Sequence, residues 1–286
     1  FKSYTSRNSR RLQELQWQHQ IEWMRSNDSK AFAELDLDAY HEKWLERVPL
    51  GWVEFRQAWS PGGEYGKWVL GHQVAIRIND TLFVHGGISA KYCKDSLQSL
   101  TEQVIEALQN YKPGVGSIID DDRGPLWYRG LALEKENETN TETLENILKR
   151  YGVKRIVVGH TPTGGVVWPR FGGRVIVNDP GISAYYGANT AVLELTAAGA
   201  VAIYGDQRVP IPAGNAGRES YLEAVIALRP DNALLQRRLE RMRAPPPAGK
   251  IPAGEPQGDG SEQSVAAQDA ASVTAPAPQP APGTCQ

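Results

Sequence analysis

Two apolar strands, each running straight into a glycine-flanked histidine, constrain this chain more than any other feature of it. They are FVHGG at residues 83–87 and VVGHTPTGG at residues 157–165. In folds that alternate strands and helices, the loops at the carboxyl ends of strands converge on one crevice, so His85 and His160 are expected to be neighbours. The pattern around them supports such a fold. Val74, Ile76 and Ile78 alternate, Asn79-Asp80 makes a turn, and residues 82–84 form the strand that ends at His85. A helix is expected at about 95–111, with Leu97, Leu100, Val104 and Leu108 on one face. A polar loop at 112–130 precedes a helix at about 141–151 that Gly152 closes. Strands at 155–158 and 175–177, a hairpin of 191–195 with 201–204, and helices at about 218–228 and 231–242 complete the pattern. Strands and helices alternating in this way argue for α/β (α+β) architecture.

The two ends read differently. Residues 6–59 have helical spacing: Leu12, Leu15, Ile21, Trp23 and Met24 recur along one helix, residues 37–48 make another stopped by Pro49, and Trp52, Phe55, Gln57 and Trp59 follow. After Gly62 and Gly63 the period is expected to change to two, which sets a helical cap or insertion at 1–61 and the main domain at 62–243. Six of the 8 tryptophans fall by residue 68, and core packing accounts for them. Residues 244–286 are rich in Pro, Ala and Gln and hold no aromatic residue, so they are expected to be a disordered tail.

Charge and cysteine usage exclude several function classes. With 31 basic and 33 acidic residues the net charge is -2, which offers no global field for nucleic acid or an anionic membrane surface. A small anionic substrate stays open. No apolar run approaches the roughly 20 residues of a membrane helix. Cys93 and Cys285 are too few for a disulfide framework or a thiolate zinc site, and leave the redox compartment undecided. The chain opens at Phe1 without methionine or an apolar leader, so its natural N-terminus and any signal peptide are expected to lie outside it, and localisation is open.

An imidazole on a rigid strand end is a preorganised ligand for Zn, Mn or Fe, which makes His85 and His160 metal candidates. Arg129 is the phosphate candidate, because its planar fork donates two parallel hydrogen bonds and keeps its charge. Trp127 and Tyr128 precede it and are placed to hold it rigid, whereas Arg123 sits in the acidic stretch 120–122, which is expected to neutralise it. Asp179, in the Asp-Pro-Gly of VNDPGISAYYG at 177–187, either faces the same crevice or only makes a turn. His19, His41 and His72 lack such context and carry no assigned role.

These blocks, in this order, resemble the second half of the calcineurin-like metallophosphoesterases, in particular the Shewanella-like protein phosphatase branch. LFVHGGIS at 82–89, PLWYRG at 125–130, VVGHTPTGG at 157–165 and IVNDPGISAYYG at 176–187 carry the resemblance, which covers about Gly62 to Tyr204. It implies a partial β-sandwich flanked by helices and a phosphomonoester hydrolase acting on phosphoprotein or a small phosphoester. It also implies two divalent ions (Mn, Fe or Zn), with His85 and His160 as ligands of the second. Arg129 would clamp the substrate phosphate, and Tyr128 and Asp179 would line its site. The blocks GD-x-HG, GD-x-x-DRG and GNHE, which in that family supply the first metal's ligands, are absent from this chain. Asp122-Arg123-Gly124 spells the end of the second, but Ile118-Ile119 stand where Gly-Asp would be. The expectation is therefore at most half a bimetal site and poor hydrolysis by this chain alone. The alternative is a degenerate, non-catalytic module of the same ancestry that binds phosphate or a partner.

Overall fold

The structure, a computed structural model, describes residues 1–112, 116–244 and 285. Apart from Ala244 and Cys285, the tail expected at 244–286 lies outside the described residues. The chain divides into two compact units, residues 1–72 and 73–286.

The first unit is helical: α1 (Ser9–Asn27), α2 (Ser29–Ala33), α3 (Leu37–Arg47), α4 (Trp52–Trp59) and α5 (Glu64–Leu70). Asp28 and Asp36 start α2 and α3 by accepting hydrogen bonds from the amides of Ala31 and Ala39. The helix α5 corrects the sequence reading, which began the strand pattern directly after Gly62-Gly63. Gly63 ends one turn through its bond to the Ser60 carbonyl, and its own carbonyl then accepts from Lys67 N–H, so the pair separates two helices. Core packing accounts for Trp44, which is buried and lies 5.2 Å from Trp17, but not for Trp23 and Trp68, which are 62% and 63% exposed.

The second unit opens with the hairpin β1 (Ala75–Ile78) and β2 (Thr81–Val84), continues through α6 (Leu97–Gln109), α7 (Gly130–Leu133) and α8 (Glu138–Tyr151), and returns as β3 (Arg155–Val158), β4 (Trp168–Arg170) and β5 (Val175–Val177). These strands form one sheet in the order β1-β2-β3-β5-β4. The inner three are parallel and the outer two antiparallel to their neighbours. Parallel return requires a crossover, and the three helices between β2 and β3 supply it. A second, antiparallel sheet of β6 (Val192–Thr196), β7 (Gly199–Tyr204) and β8 (Gln207–Pro210) follows, and then α9 (Arg218–Leu228) and α10 (Ala233–Arg243). Sheets flanked by helices give the mixed α/β architecture expected.

The core lies on the inner strands. Leu82, Ile156, Val158, Val175 and Ile176 are buried together with Leu100 of α6 and Leu144 and Ile147 of α8. Each such side chain contributes about 1.5–3 kcal/mol by leaving water. Two details differ from the periodicity. On the edge strand β1 it is Ala75 that is buried, while Ile76 and Ile78 face outward, and at the end of α6 Leu108 is exposed. Two buried tyrosines join the second sheet to the first. Tyr221 donates to the Val167 carbonyl at 2.7 Å, Tyr204 accepts from the Val167 amide at 3.0 Å, and their hydroxyls lie 2.8 Å apart. Because Tyr221 uses its one proton on Val167, Tyr204 donates to Tyr221 and the ring of bonds closes.

Cys93, fully buried just beyond the β2 loop, is disulfide-bonded to Cys285, 192 residues later. Two cysteines make no framework, but they make one bridge.

Candidate metal and phosphate site

The register of the parallel strands builds the site. Val84 pairs with Val158, and Val158 with Val177, so the next residues of each strand, His85, Gly159 and Asn178, emerge at one level. The backbone bonds continue past the strands: Gly159 N–H donates to the His85 carbonyl at 2.8 Å and Asn178 N–H to the Val158 carbonyl at 2.7 Å. The imidazoles of His85 and His160 come to 5.0 Å between ring centroids. His160 reaches that place through a strained backbone with φ 61°, a left-handed conformation that a side chain with a Cβ disfavours. A tight turn from Thr161 N–H to the Gly159 carbonyl, 2.6 Å, holds it there. The buried Nε2 of His160 has no hydrogen-bond partner in the protein.

Glycine at 86 lets the Arg129 loop approach. Gly86 N–H donates to the Pro125 carbonyl at 2.8 Å, and a Cβ on Gly86 would meet backbone atoms of residues 125, 126 and 128 at 2.9 Å. That contact sets Trp127 edge-on against His160 at 5.1 Å, with its indole N–H on the Ile119 carbonyl at 2.7 Å. Arg129 begins α7, and its carbonyl accepts from Ala132 and Leu133, each at 2.9 Å. Beneath α7, the buried Arg170 donates to the Leu131 carbonyl at 3.0 Å and also to the Glu134 carbonyl. Its Nε lies 3.1 Å from Glu136, which pairs with Arg218 at 2.7 Å as well. Burial first, then the positive charge of Arg129 and the neighbouring His85, push the His160 pKa down to about 4. Near neutral pH the ring is therefore uncharged and has a lone pair to give.

The remaining candidates are held in other ways. The Tyr128 hydroxyl lies 3.4 Å from the Glu134 carboxylate, and burial raises its pKa. Asp179 Oδ1 accepts from Gly181 N–H at 3.2 Å, and its carbonyl accepts from the Thr163 amide and hydroxyl, each at 2.8 Å. The acidic stretch does not serve Arg123 alone: Asp121 accepts from Tyr92 at 2.8 Å and from Lys91, and from Arg123 only through the backbone N–H at 2.8 Å. Sequence reasoning missed Asn178. It lines, with His85 and Gly159, a cavity of about 330 Å³, and its buried Oδ1 has no partner. Its signal was its position one residue after a buried strand, the rule that selected His85.

Two imidazoles and an unpartnered amide oxygen are donors of the type that a borderline divalent cation accepts. They fit part of a coordination shell. Among the described residues, no group of three or more His, Cys, Asp and Glu is placed to hold a metal ion.

No protein-family model matches the chain. Among curated proteins, an uncharacterized protein of Schizosaccharomyces pombe is 30% identical over 146 residues, 48% of this chain and 43% of that protein. Shewanella-like protein phosphatase 2 of Arabidopsis thaliana is 28% identical over 108 residues, 36% of this chain and 28% of that protein. Over that stretch the chain is similar to a Shewanella-like protein phosphatase. It spans less than half the length of the curated relatives it matches. Among solved structures, a cold-active protein tyrosine phosphatase aligns at 26% identity over 58% of this chain and 48% of that one, with a TM-score of 0.48. A cold-active protein-tyrosine phosphatase of a psychrophilic Shewanella species aligns at 25% identity over 61% of this chain and 52% of that one, with a TM-score of 0.46. The blocks that gave the sequence its Shewanella-like character are the ones that meet at the strand ends.

Proposed function

We propose that this chain carries part of a metal-dependent phosphomonoester hydrolase, in which His85 and His160 hold one divalent cation (Mn, Fe or Zn) and Arg129 grips the phosphate of a phosphorylated protein or small phosphoester. The carrying observation is the meeting of the two imidazoles at neighbouring parallel strand ends, with His160 Nε2 buried and unpartnered. A cation bound there would supply positive charge for the phosphoryl oxygens and lower the pKa of a bound water. The chain's own residues orient the parts. Gly86 brings the Arg129 loop to the strand ends, Trp127 fixes the His160 ring, and Arg170 with Glu136 anchors the short helix that Arg129 begins. In this proposal the remaining ligands of a bimetal site come from a segment the chain does not contain.

Manganese titration of the purified chain, followed by calorimetry and by turnover of p-nitrophenyl phosphate, tests the proposal. Weak binding of at most one ion per chain, abolished by His85→Ala or His160→Ala, with marginal turnover, is the expected result. Binding unaffected by either substitution would remove the ligand assignment, and robust turnover would remove the half-site assignment. The scarcity of ligand groups among the described residues favours a second reading, a non-catalytic phosphate-binding module. In that case inorganic phosphate binds through Arg129 while no metal-loaded form turns over substrate.

A further inference from the structure

The loop that leaves β5 passes from the candidate site straight into an exposed aromatic ridge. Asn178 lines the strand-end cavity, Pro180 and Gly181 are buried, and residues 182–188 are then all exposed. Ile182 is 70%, Tyr185 61% and Tyr186 48% exposed, and the two tyrosine rings meet edge to face at 5.1 Å. Hydrogen bonds fix the ridge in place. Asn189 N–H closes the loop on the Gly181 carbonyl at 2.9 Å, and the N–H groups of Tyr186 and Ala188 both donate to the Ser183 carbonyl at 2.9 Å. The Asn189 side-chain amide donates to the Tyr186 carbonyl at 3.0 Å, while its oxygen accepts from Arg229 at 3.1 Å. Gly181 has φ 84°, and a Cβ there would lie 2.8 Å from that of Tyr186, so glycine lets the ridge fold back onto its own base. Rings ordered before a partner arrives give contact area at little further cost in conformational entropy.

Shape, charge and position define the partner. Small-molecule sites are concave, whereas none of these three side chains lines the strand-end cavity, so a ligand confined to that cavity does not cover them. No residue from 181 to 190 is charged, which leaves the loop without the basic groups that hold a nucleic-acid backbone or an anionic membrane surface. Gly181 is only three residues beyond Asn178, at most about 11 Å of extended chain, and Tyr186 packs against Gly181. The ridge therefore stands a few peptide residues away from a phosphate held at the strand ends. We infer that residues 182–186 dock the polypeptide on either side of a phosphorylated residue, which makes a phosphoprotein, and not a small phosphoester, the substrate of the proposed site. The inference rests on the phosphate grip assigned to Arg129.

Depletion of the full chain from solution by beads carrying degenerate phosphopeptide libraries, one centred on phosphoserine and one on phosphotyrosine, gives an apparent Kd to set beside calorimetry with inorganic phosphate. The parent is expected to bind at least one library about ten-fold or more tightly than the free ion. Ile182→Ser and Tyr185→Ser are each expected to weaken library binding by about ten-fold and to leave the Kd for inorganic phosphate within about two-fold of the parent's. Both side chains are mostly exposed, so the Tm of either variant should match the parent's, which separates lost docking from lost folding. Arg129→Ala should weaken the binding of libraries and ion alike. Phosphate binding with no gain from either library overturns the inference and leaves the Arg129 grip standing, as does a gain that both serine variants retain. A parent that binds neither ion nor library removes the grip itself, and the inference with it. Binding to phosphatidylcholine–phosphatidylserine vesicles that Tyr185→Ser abolishes would overturn the inference by giving the ridge to a lipid surface.

Discussion

At the scale of single residues, His160 combines two demands that oppose each other. Its ring is needed at the strand end, but its backbone sits at φ 61°, where a Cβ is strained. Replacing it by glycine or by alanine removes the imidazole in both cases, and the two variants differ only in that Cβ. The expectation is that His160→Gly is more stable than His160→Ala by about 1 kcal/mol, read by urea denaturation, although both lose the metal binding proposed above. Equal stabilities would show that the left-handed backbone is not maintained in solution. A glycine would be the easier residue for this turn, so a histidine there marks a position where geometry is held against local preference.

At the scale of elements, the Arg129 helix depends on an ionic cluster. Glu136 sits between Arg170 and Arg218, with the Phe171 amide also donating to it at 2.9 Å. Burial alone would raise its pKa, but the bond and charge of Arg218, the Phe171 N–H and the charge of Arg170 outweigh burial and hold it below the usual glutamate value. A carboxylate depressed in the fold adds stability above its unfolded pKa, and that stability is lost as pH falls through the lower folded value. The Tm of the parent should therefore drop between about pH 5 and about pH 3, with a shallower slope in Glu136→Gln. Glu136→Ala, which leaves two mostly buried guanidinium groups without their partner, should cost about 3–5 kcal/mol at neutral pH. A Glu136→Gln profile as steep as the parent's would assign the acid transition to other carboxylates. This cluster was not legible in the sequence, because its members are brought together by β4, and Trp168-Pro169-Arg170 does not read as a strand. Proline is tolerated there only because β4 is an edge. Strand β8 escaped for a related reason, since Gln207 and Arg208 give it no apolar run. What could be read were β3, β5 and α9, where apolar runs or a helical period end at clear boundaries. Of the candidate site, His85 and His160 could be read because each ends such a run. Asn178 also follows such a run, at β5, but an asparagine before Asp-Pro-Gly reads first as part of a turn, which masks that signal.

At the scale of the whole molecule, the disulfide was invisible to sequence reasoning, because two cysteines 192 residues apart say nothing of whether the fold brings them within reach. Their Cα atoms are 5.6 Å apart, inside the span a bridge requires. Trypsin cleaves after Lys91, Lys94 and Lys250, and no lysine or arginine follows Lys250. Digestion without reductant should therefore give residues 92–94 joined to residues 251–286, and reductant should separate them. Recovery of the two peptides unlinked from oxidised protein would refute the bridge. The Cys93–Cys285 bond also turns most of the chain into a closed covalent ring. One protease nick anywhere between residues 94 and 284 leaves both pieces fastened in a single molecule, which keeps the parent's place on a non-reducing gel and divides only when thiol is added. Damage to a surface loop of this protein would therefore pass unseen until the cell, or the experimenter, reduced it.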